Sequence, residues 1–491
     1  MLHNPKLYEI NTIIRLNKLT GGKKLNAIPK NYISRLADKG FDFIWLMGIW
    51  KTCTDLIDSC GFQEDLIASY HRSLKDWKRE DVTGSPYAID SYEVNPALGS
   101  KDDLLKLKHQ MNEEGIKLIL DFVPNHLGAS SKFIKTHPQI FLKGNEELLN
   151  NDSFTFFRPQ VNSQEIFAHG RDPFFPAWTD TIQVNYFNSE AREFMINILL
   201  SLTELCDGVR CDMAMLSLNN VFENTWLGSI EHYGNDKPKS EFWEEAIKKV
   251  KEKSPEFIFI AEAYWDLEWE LQQLGFDFTY DKRLLDRLES DDIQGIREHL
   301  EADKNSQLKS VRFLENHDES RAITKLGKYK SFAATTIIST IQGMKLYYDG
   351  QFEGKKIKLP VQLGREPVEK VSTTVSQFYD LILNITKHEI FKFGDWKQLY
   401  PESVGENNLS FQNILTWQWK FKNEIRVIVI NYSSGTSYCR LKFDITTLNE
   451  NISLLDLMTD NVFNRSVNEI KTNGLFIELK SYKSHIFAFN D

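Results

Sequence analysis

Polar residues that can do acid–base and nucleophilic chemistry close several short apolar runs in this chain. One run carries Asp121, with Asn125 and His126 just beyond it; another carries Arg210 and Asp212; a third ends at Glu262; a fourth leads into His317 and Asp318. Residues two apart in a strand face the same way, so Arg210 and Asp212 share a face. A guanidinium there is expected to keep Asp212 ionised, as a nucleophile requires. Glu262 follows Phe257-Ile258-Phe259-Ile260-Ala261, and apolar surroundings raise a carboxyl's pKa, which suits a general acid. One charged carboxylate and one protonated carboxyl is what retaining glycoside cleavage needs, with the two groups about 5–5.5 Å apart.

Such a constellation works only if the runs are neighbouring strands with their ends at one mouth. Candidate strands are Leu7–Leu16, Phe41–Met47, Ile116–Val123, Gly208–Met213, Phe257–Ala263, Phe276–Tyr280, Val311–Leu314 and Met344–Tyr348. Helical segments separate them. Ser100 and Asp103 form a capping box before Leu104, Leu107 and Met111, and Gly115 sits where a helix ends. Ser189 precedes a helical run to about Leu205, and Gly40 closes a helix that begins near Lys30. Alternation of apolar strands with helices predicts a parallel sheet covered on its outside, and this many units predict an α/β fold of the (β/α)₈ TIM-barrel type. Active sites in such barrels lie at the C-terminal strand ends, where the residues above stand.

The barrel is expected over residues 1–393, interrupted at 127–184 by a segment too long for a loop, which reads as an inserted domain after strand 3. From about Phe393 the pattern turns to period two, with runs at Leu415–Trp419, Glu424–Tyr432, Cys439–Phe443, Gly474–Leu479 and His485–Phe489. Ser433-Ser434-Gly435 and Asn473-Gly474 supply turns between them. Residues 396–491 therefore read as a C-terminal antiparallel β-sandwich.

With 491 residues the chain exceeds one ordinary core, and 41% hydrophobic with 26% charged residues is a folded composition. A net charge of −10 argues against a nucleic-acid partner. No uninterrupted apolar stretch of about 18 residues occurs, so no membrane partner is expected. The five cysteines are odd in number and lack CxxC pairing, and residues 1–16 show no export pattern, so a cytoplasmic setting is expected.

At this point the motifs resemble those of the α-amylase superfamily of glycoside hydrolases. Asp121-Phe122-Val123-Pro124-Asn125-His126, Gly208-Val209-Arg210-Cys211-Asp212, Ala261-Glu262-Ala263-Tyr264-Trp265 and Phe313-Leu314-Glu315-Asn316-His317-Asp318 are similar to its third-, fourth-, fifth- and seventh-strand motifs, in order. Tyr8-Glu9-Ile10-Asn11, Gly84 to Tyr92, and Trp178 to Thr181 with Asn185-Tyr186 resemble three further segments. The resemblance implies Asp212 as nucleophile, Glu262 as acid/base and Asp318 as the carboxylate that binds sugar hydroxyls. It implies Arg210, His126 and His317 as binding residues and Tyr87 as a stacking platform. Asn125 matches a position that ligates calcium in many members, so no cofactor is required but a structural calcium is possible. Met215 and Leu216 depart from the Lys-His pair that many members carry after the nucleophile.

The implied activity is retaining cleavage of α-glucosidic bonds in an α-glucan or α-glucoside, the partner being an oligo- or polysaccharide. A transglycosylase (glucanotransferase) of the same superfamily and a non-catalytic carbohydrate-binding relative remain open. Loss of one of the three carboxylates would favour the last, and all three are present. A metal-dependent barrel hydrolase would need a clustered His/carboxylate ligand set, and no His-x-His pair follows the first strand. Trp50, Trp178 and Trp265 are further aromatic residues that either stack on sugars or pack the barrel.

Overall fold

The computed structural model describes residues 3–22, 24–233, 236–447 and 449–490. Among them, parallel strands close into a barrel: β1 (Lys6–Asn11), β2 (Phe43–Met47), β3 (Lys117–Phe122), β4 (Gly208–Cys211), β5 (Ile258–Ala261), β6 (Phe278–Tyr280), β7 (Ser310–Arg312) and β8 (Met344–Tyr348). Neighbours follow chain order, and β1 pairs with both β2 and β8, so no edge is left open. The strands are short and buried along nearly their whole length, which explains why they read as continuous apolar runs. Gly208 begins β4 because a Cβ there would meet the Ile258 carbonyl oxygen at 2.6 Å and Ile119 at 2.8 Å.

The helix Lys101–Glu113 has the capping box of Ser100 and Asp103, and Gly115 follows with φ +76°. Two expectations need correction. The run Leu7–Leu16 is not one strand: the Asn11 side chain accepts from the Ile14 amide and caps a helix over Thr12–Thr20. Here an N-cap outweighs the strand preference of Thr-Ile-Ile. The helix Ser189–Leu202 is capped by Asn188 rather than by Ser189.

Between β3 and β4 the chain leaves and returns through a two-stranded neck, His126–Gly128 antiparallel to Thr181–Gln183. Beyond it Ile166–Ala168 pairs with both Lys143–Gly144 and Phe156–Phe157. These strands are too short for a period-two signal to be visible in sequence.

The C-terminal part contains β9 (Asp395–Leu399), β10 (Ile414–Phe421), β11 (Glu424–Asn431), β12 (Ser437–Leu441), β13 (Asn451–Asp456), β14 (Val462–Ser466), β15 (Leu475–Leu479) and β16 (Ser484–Asn490). Six form a sheet in the order β9-β10-β11-β16-β13-β14, and β12 pairs with β15. Ile425, Val427 and Val429 of β11 share a core with Cys439, Leu441, Ile477 and Leu479 of that pair. The opposite face carries Leu415, Trp417 and Trp419, which join the barrel's own core. Trp419 donates from Nε1 to the Thr340 carbonyl at 2.7 Å, and the Tyr432 hydroxyl donates to the Leu288 carbonyl at 2.8 Å. Strands β9, β13 and β14 had no counterpart among the expected runs. Asn473-Gly474 is not a hairpin turn but the end of a helix over Val467–Asn473, which Ser466 caps and which buries Val467 and Ile470. No helix among the described residues is long and apolar enough to cross a membrane.

Candidate active site

Pairing of β4 with β3 and β5 sets Arg210 beside Asp121 and Ile260. Its fully buried guanidinium faces three acids. Nη1 stands 2.5 Å from Asp212 Oδ1 and 3.8 Å from Asp121 Oδ1, and Nη2 stands 2.8 Å from Glu262 Oε2. The last contact is an ion pair off the N–H direction, since Nη2 makes no aligned hydrogen bond. One planar guanidinium spans both carboxylates, so those oxygens lie within about 8 Å of each other. The cation also sits over the rings of Trp45, Tyr87 and Tyr280, at 5.0, 5.6 and 5.7 Å from their centroids.

Sequence reasoning gave Arg210 to Asp212 alone and expected it to hold that carboxyl down. The structure shares the cation instead. Burial pushes Asp212 and Glu262 both upward, with Arg210 opposing in each case. Burial also pushes Asp121 up to about 7, against the pull of Arg210. Asp212 and Glu262 repel each other and therefore titrate as a pair. Glu262 accepts from the Met213 amide at 2.7 Å and from the Tyr264 hydroxyl at 2.8 Å. Met213, whose amide reaches Glu262, adopts the left-handed conformation, φ 43° and ψ 47°. Such a conformation costs a residue with a side chain about 1–3 kcal/mol.

Across the mouth, His317 is buried between two acids. Nδ1 is 2.6 Å from Glu9 Oε1, and Nε2 is 2.9 Å from Asp318 Oδ2 and 2.8 Å from the Tyr87 hydroxyl. Burial opposes a charge on the imidazole, but Asp318 and Glu9 outweigh it and hold His317 well above the usual histidine range. Desolvation by the walls of the mouth works to raise Asp318; His317 more than offsets this and holds it at about 2. The Tyr87 ring lies stacked against the imidazole at 5.6 Å.

The raised histidine fixes a sign for pH dependence. Its favourable charge is fully present below the ordinary histidine value and is lost as pH rises through the elevated one. Glu9→Gln removes one of the acids that hold the proton. The alkaline limb of the kcat/KM profile should then move toward neutrality, as initial rates at graded pH will show; an unmoved limb would mean that Glu9 does not govern His317.

His126 is buried and pushed down to about 3 by that burial, so it is neutral. The Asn125 amide stands 3.4 Å from its Nδ1, which leaves Nε2 as the ring donor. Its ring packs 5.2 Å from Trp178. Asn125 does not fit a calcium ion: its carbonyl and its Oδ1 both accept from Gln183 Nε2 at 2.9 Å. No group of three or more His, Cys, Asp or Glu among the described residues could hold a metal. Trp50 is buried and donates to the Asp121 carbonyl, so it is packing and not a platform. Trp265 is 37% exposed and meets Phe174 edge-on at 5.0 Å.

The sequence model described as "Alpha amylase, catalytic domain" matches residues 31–374. The chain belongs to the alpha-amylase family. Alpha-amylase 3 of Dictyoglomus thermophilum is 23% identical over 313 residues, 59% of this chain and 57% of that protein. A cyclomaltodextrin glucanotransferase of Bacillus sp. (strain 38-2) is 25% identical over 366 residues, 71% of this chain and 48% of that protein. The chain thus spans about half the length of the curated relatives it matches. A maltogenic alpha-amylase of Thermotoga neapolitana superposes over 99% of both chains, with a TM-score of 0.71 at 20% identity, which is a likeness of fold.

Within this alpha-amylase family chain, some site residues escaped sequence reasoning. Glu9 is an acid set between the apolar Tyr8 and Ile10 in a fully buried strand, and that placement was the available signal. Tyr264 stands two residues past Glu262, in the segment that follows β5. Met215 and Leu216, at the positions where many family members carry a Lys-His pair, are buried apolar side chains.

Proposed function

We propose that this protein cleaves α-glucosidic bonds of an α-glucan or α-glucoside by double displacement with retention. The observation that carries the reading is the Arg210 guanidinium spanning Asp212 and Glu262 on adjacent strands, with Asp318 held charged across the mouth. Asp212 attacks the anomeric carbon while the bond to the leaving oxygen breaks and Glu262 gives that oxygen its proton. Glu262, now a carboxylate, takes a proton from water; the hydroxide oxygen bonds to the anomeric carbon and Asp212 is released. Asp318, His126 and His317 bind sugar hydroxyls, and Tyr87 stacks on the ring beside the scissile bond. The five free cysteines support a cytoplasmic setting.

A second reading, transfer of the glycosyl group to a sugar acceptor, is favoured by Trp265. Three residues past Glu262, this ring is part-exposed and extended by Phe174, giving an aromatic surface able to hold an acceptor sugar. The test is a screen against starch, glycogen, maltooligosaccharides, isomaltose, sucrose and trehalose, with and without excess acceptor glucan. Products that only shorten support hydrolysis; products longer than the substrate support transfer. NMR of the first-formed sugar should show the α-anomer, and a β-anomer would refute retention. Calorimetric binding with no turnover on any of these sugars would instead support a carbohydrate-binding relative.

A further inference from the structure

The neck of the insertion holds a buried amide beside Asn125, the position at which the family resemblance implies a possible calcium ligand. Gln183 is fully buried, and its Nε2 stands 2.9 Å from the Asn125 carbonyl, 2.9 Å from Asn125 Oδ1 and 3.0 Å from the Val184 carbonyl. Three oxygens converging on one point is the beginning of a cation site. Calcium, however, needs six to eight oxygens at about 2.3–2.6 Å, and at least one carboxylate is usual. Here the point of convergence is already filled by nitrogen. The amide offers two N–H groups with partial positive charge, shared among three acceptors.

We infer that the Gln183 carboxamide is a built-in substitute for a cation, closing the junction between barrel and insertion without metal. The junction is where the chain both leaves and returns. Asn125 lies between β3 and the outgoing neck strand, and Gln183 pairs with His126 in the returning one. The Val184 amide donates to the same Asn125 carbonyl, so backbone and side chain tie the two crossings together. His126 follows Asn125 directly, and Trp178 packs on its ring, so this lock also fixes one wall of the mouth. Gln183 Oε1 is buried without a partner, a cost the three donor contacts on Nε2 must offset.

The test uses the full-length protein and reads thermal unfolding, so its outcome does not depend on the proposed chemistry. Dialysed wild-type protein should melt at the same temperature in EGTA and in millimolar CaCl₂, with no calcium retained by elemental analysis. A fall in Tm in EGTA that calcium reverses, or a retained stoichiometric calcium, overturns the inference. Gln183→Glu replaces the donor by a carboxylate facing three oxygens. It should lower Tm in EGTA by several degrees and recover much of that loss on calcium addition. Gln183→Met should lower Tm equally in both buffers. If Gln183→Glu is no more responsive to calcium than Gln183→Met, the oxygens are not arranged around a cation position and the inference fails; wild-type data decide the question should either variant not fold.

Discussion

Asp212→Asn should lower kcat/KM on a maltooligosaccharide by on the order of 10⁴-fold or more, while Tm stays close to that of the wild type. The substitution is isosteric, so the loss reports the nucleophile and not the fold. Glu262→Gln should cost about 10²–10⁴-fold on the same substrate, the usual worth of general acid catalysis. The two losses differ in kind, and leaving-group chemistry separates them. α-Glucosyl fluoride expels fluoride without needing a proton, so Glu262→Gln should form the glycosyl-enzyme from it at a much smaller penalty. Asp212→Asn should gain nothing from that substrate, because no bond to the anomeric carbon can form. Normal turnover in Asp212→Asn would remove the nucleophile assignment. Equal sensitivity of the two variants to the leaving group would show that Glu262 is not the acid.

The pair is legible in the sequence because strand parity and strand ends are local properties. Arg210 and Asp212 are two apart, and Glu262 ends an apolar run; neither reading needs the register between strands. What the sequence hides is the third dimension of the charge network. Arg210 reaches Glu262 only because β4 and β5 pair with Arg210 opposite Ile260, which places Glu262, just past the end of β5, within range of the guanidinium. Glu9 and His317 are 308 positions apart and meet across the barrel interior, and no local pattern announces such a contact. The fold errors have a local cause instead. Thr12-Ile13-Ile14 has strand composition but sits behind an N-cap, and Val467 with Ile470 form a short helix whose apolar spacing is only one turn long. The barrel survives these errors because its signal is the repetition of strand and helix, not any one boundary.

Arg210 is the residue on which the electrostatics of the mouth turn, and its removal should have the second large effect. Arg210→Met leaves Asp121, Asp212 and Glu262 in a buried cluster with no internal counter-ion at their centre. Stripping one partner from a buried ionic network costs about 3–5 kcal/mol, which a lowered Tm will report. The sign of the pH effect follows from linkage. Burial already raises these carboxyls, and without the cation they rise further, so the folded variant binds protons that the unfolded chain has released. Stability should therefore fall as pH rises from the ordinary carboxylate range toward the raised values, more steeply than in the wild type. Activity should fall by on the order of 10³-fold near neutrality, since a protonated Asp212 cannot attack, and the acid limb of the rate profile should move to higher pH. Arg210→Lys restores the charge but not the planar fork, and a single ammonium cannot face Asp212 and Glu262 as the guanidinium does. It should recover much of the stability while remaining about 10²-fold or more below wild-type rate, the cost of misplacing the carboxylates it no longer spans. An Arg210→Met protein with unchanged Tm and an unmoved acid limb would mean that the acids are compensated elsewhere.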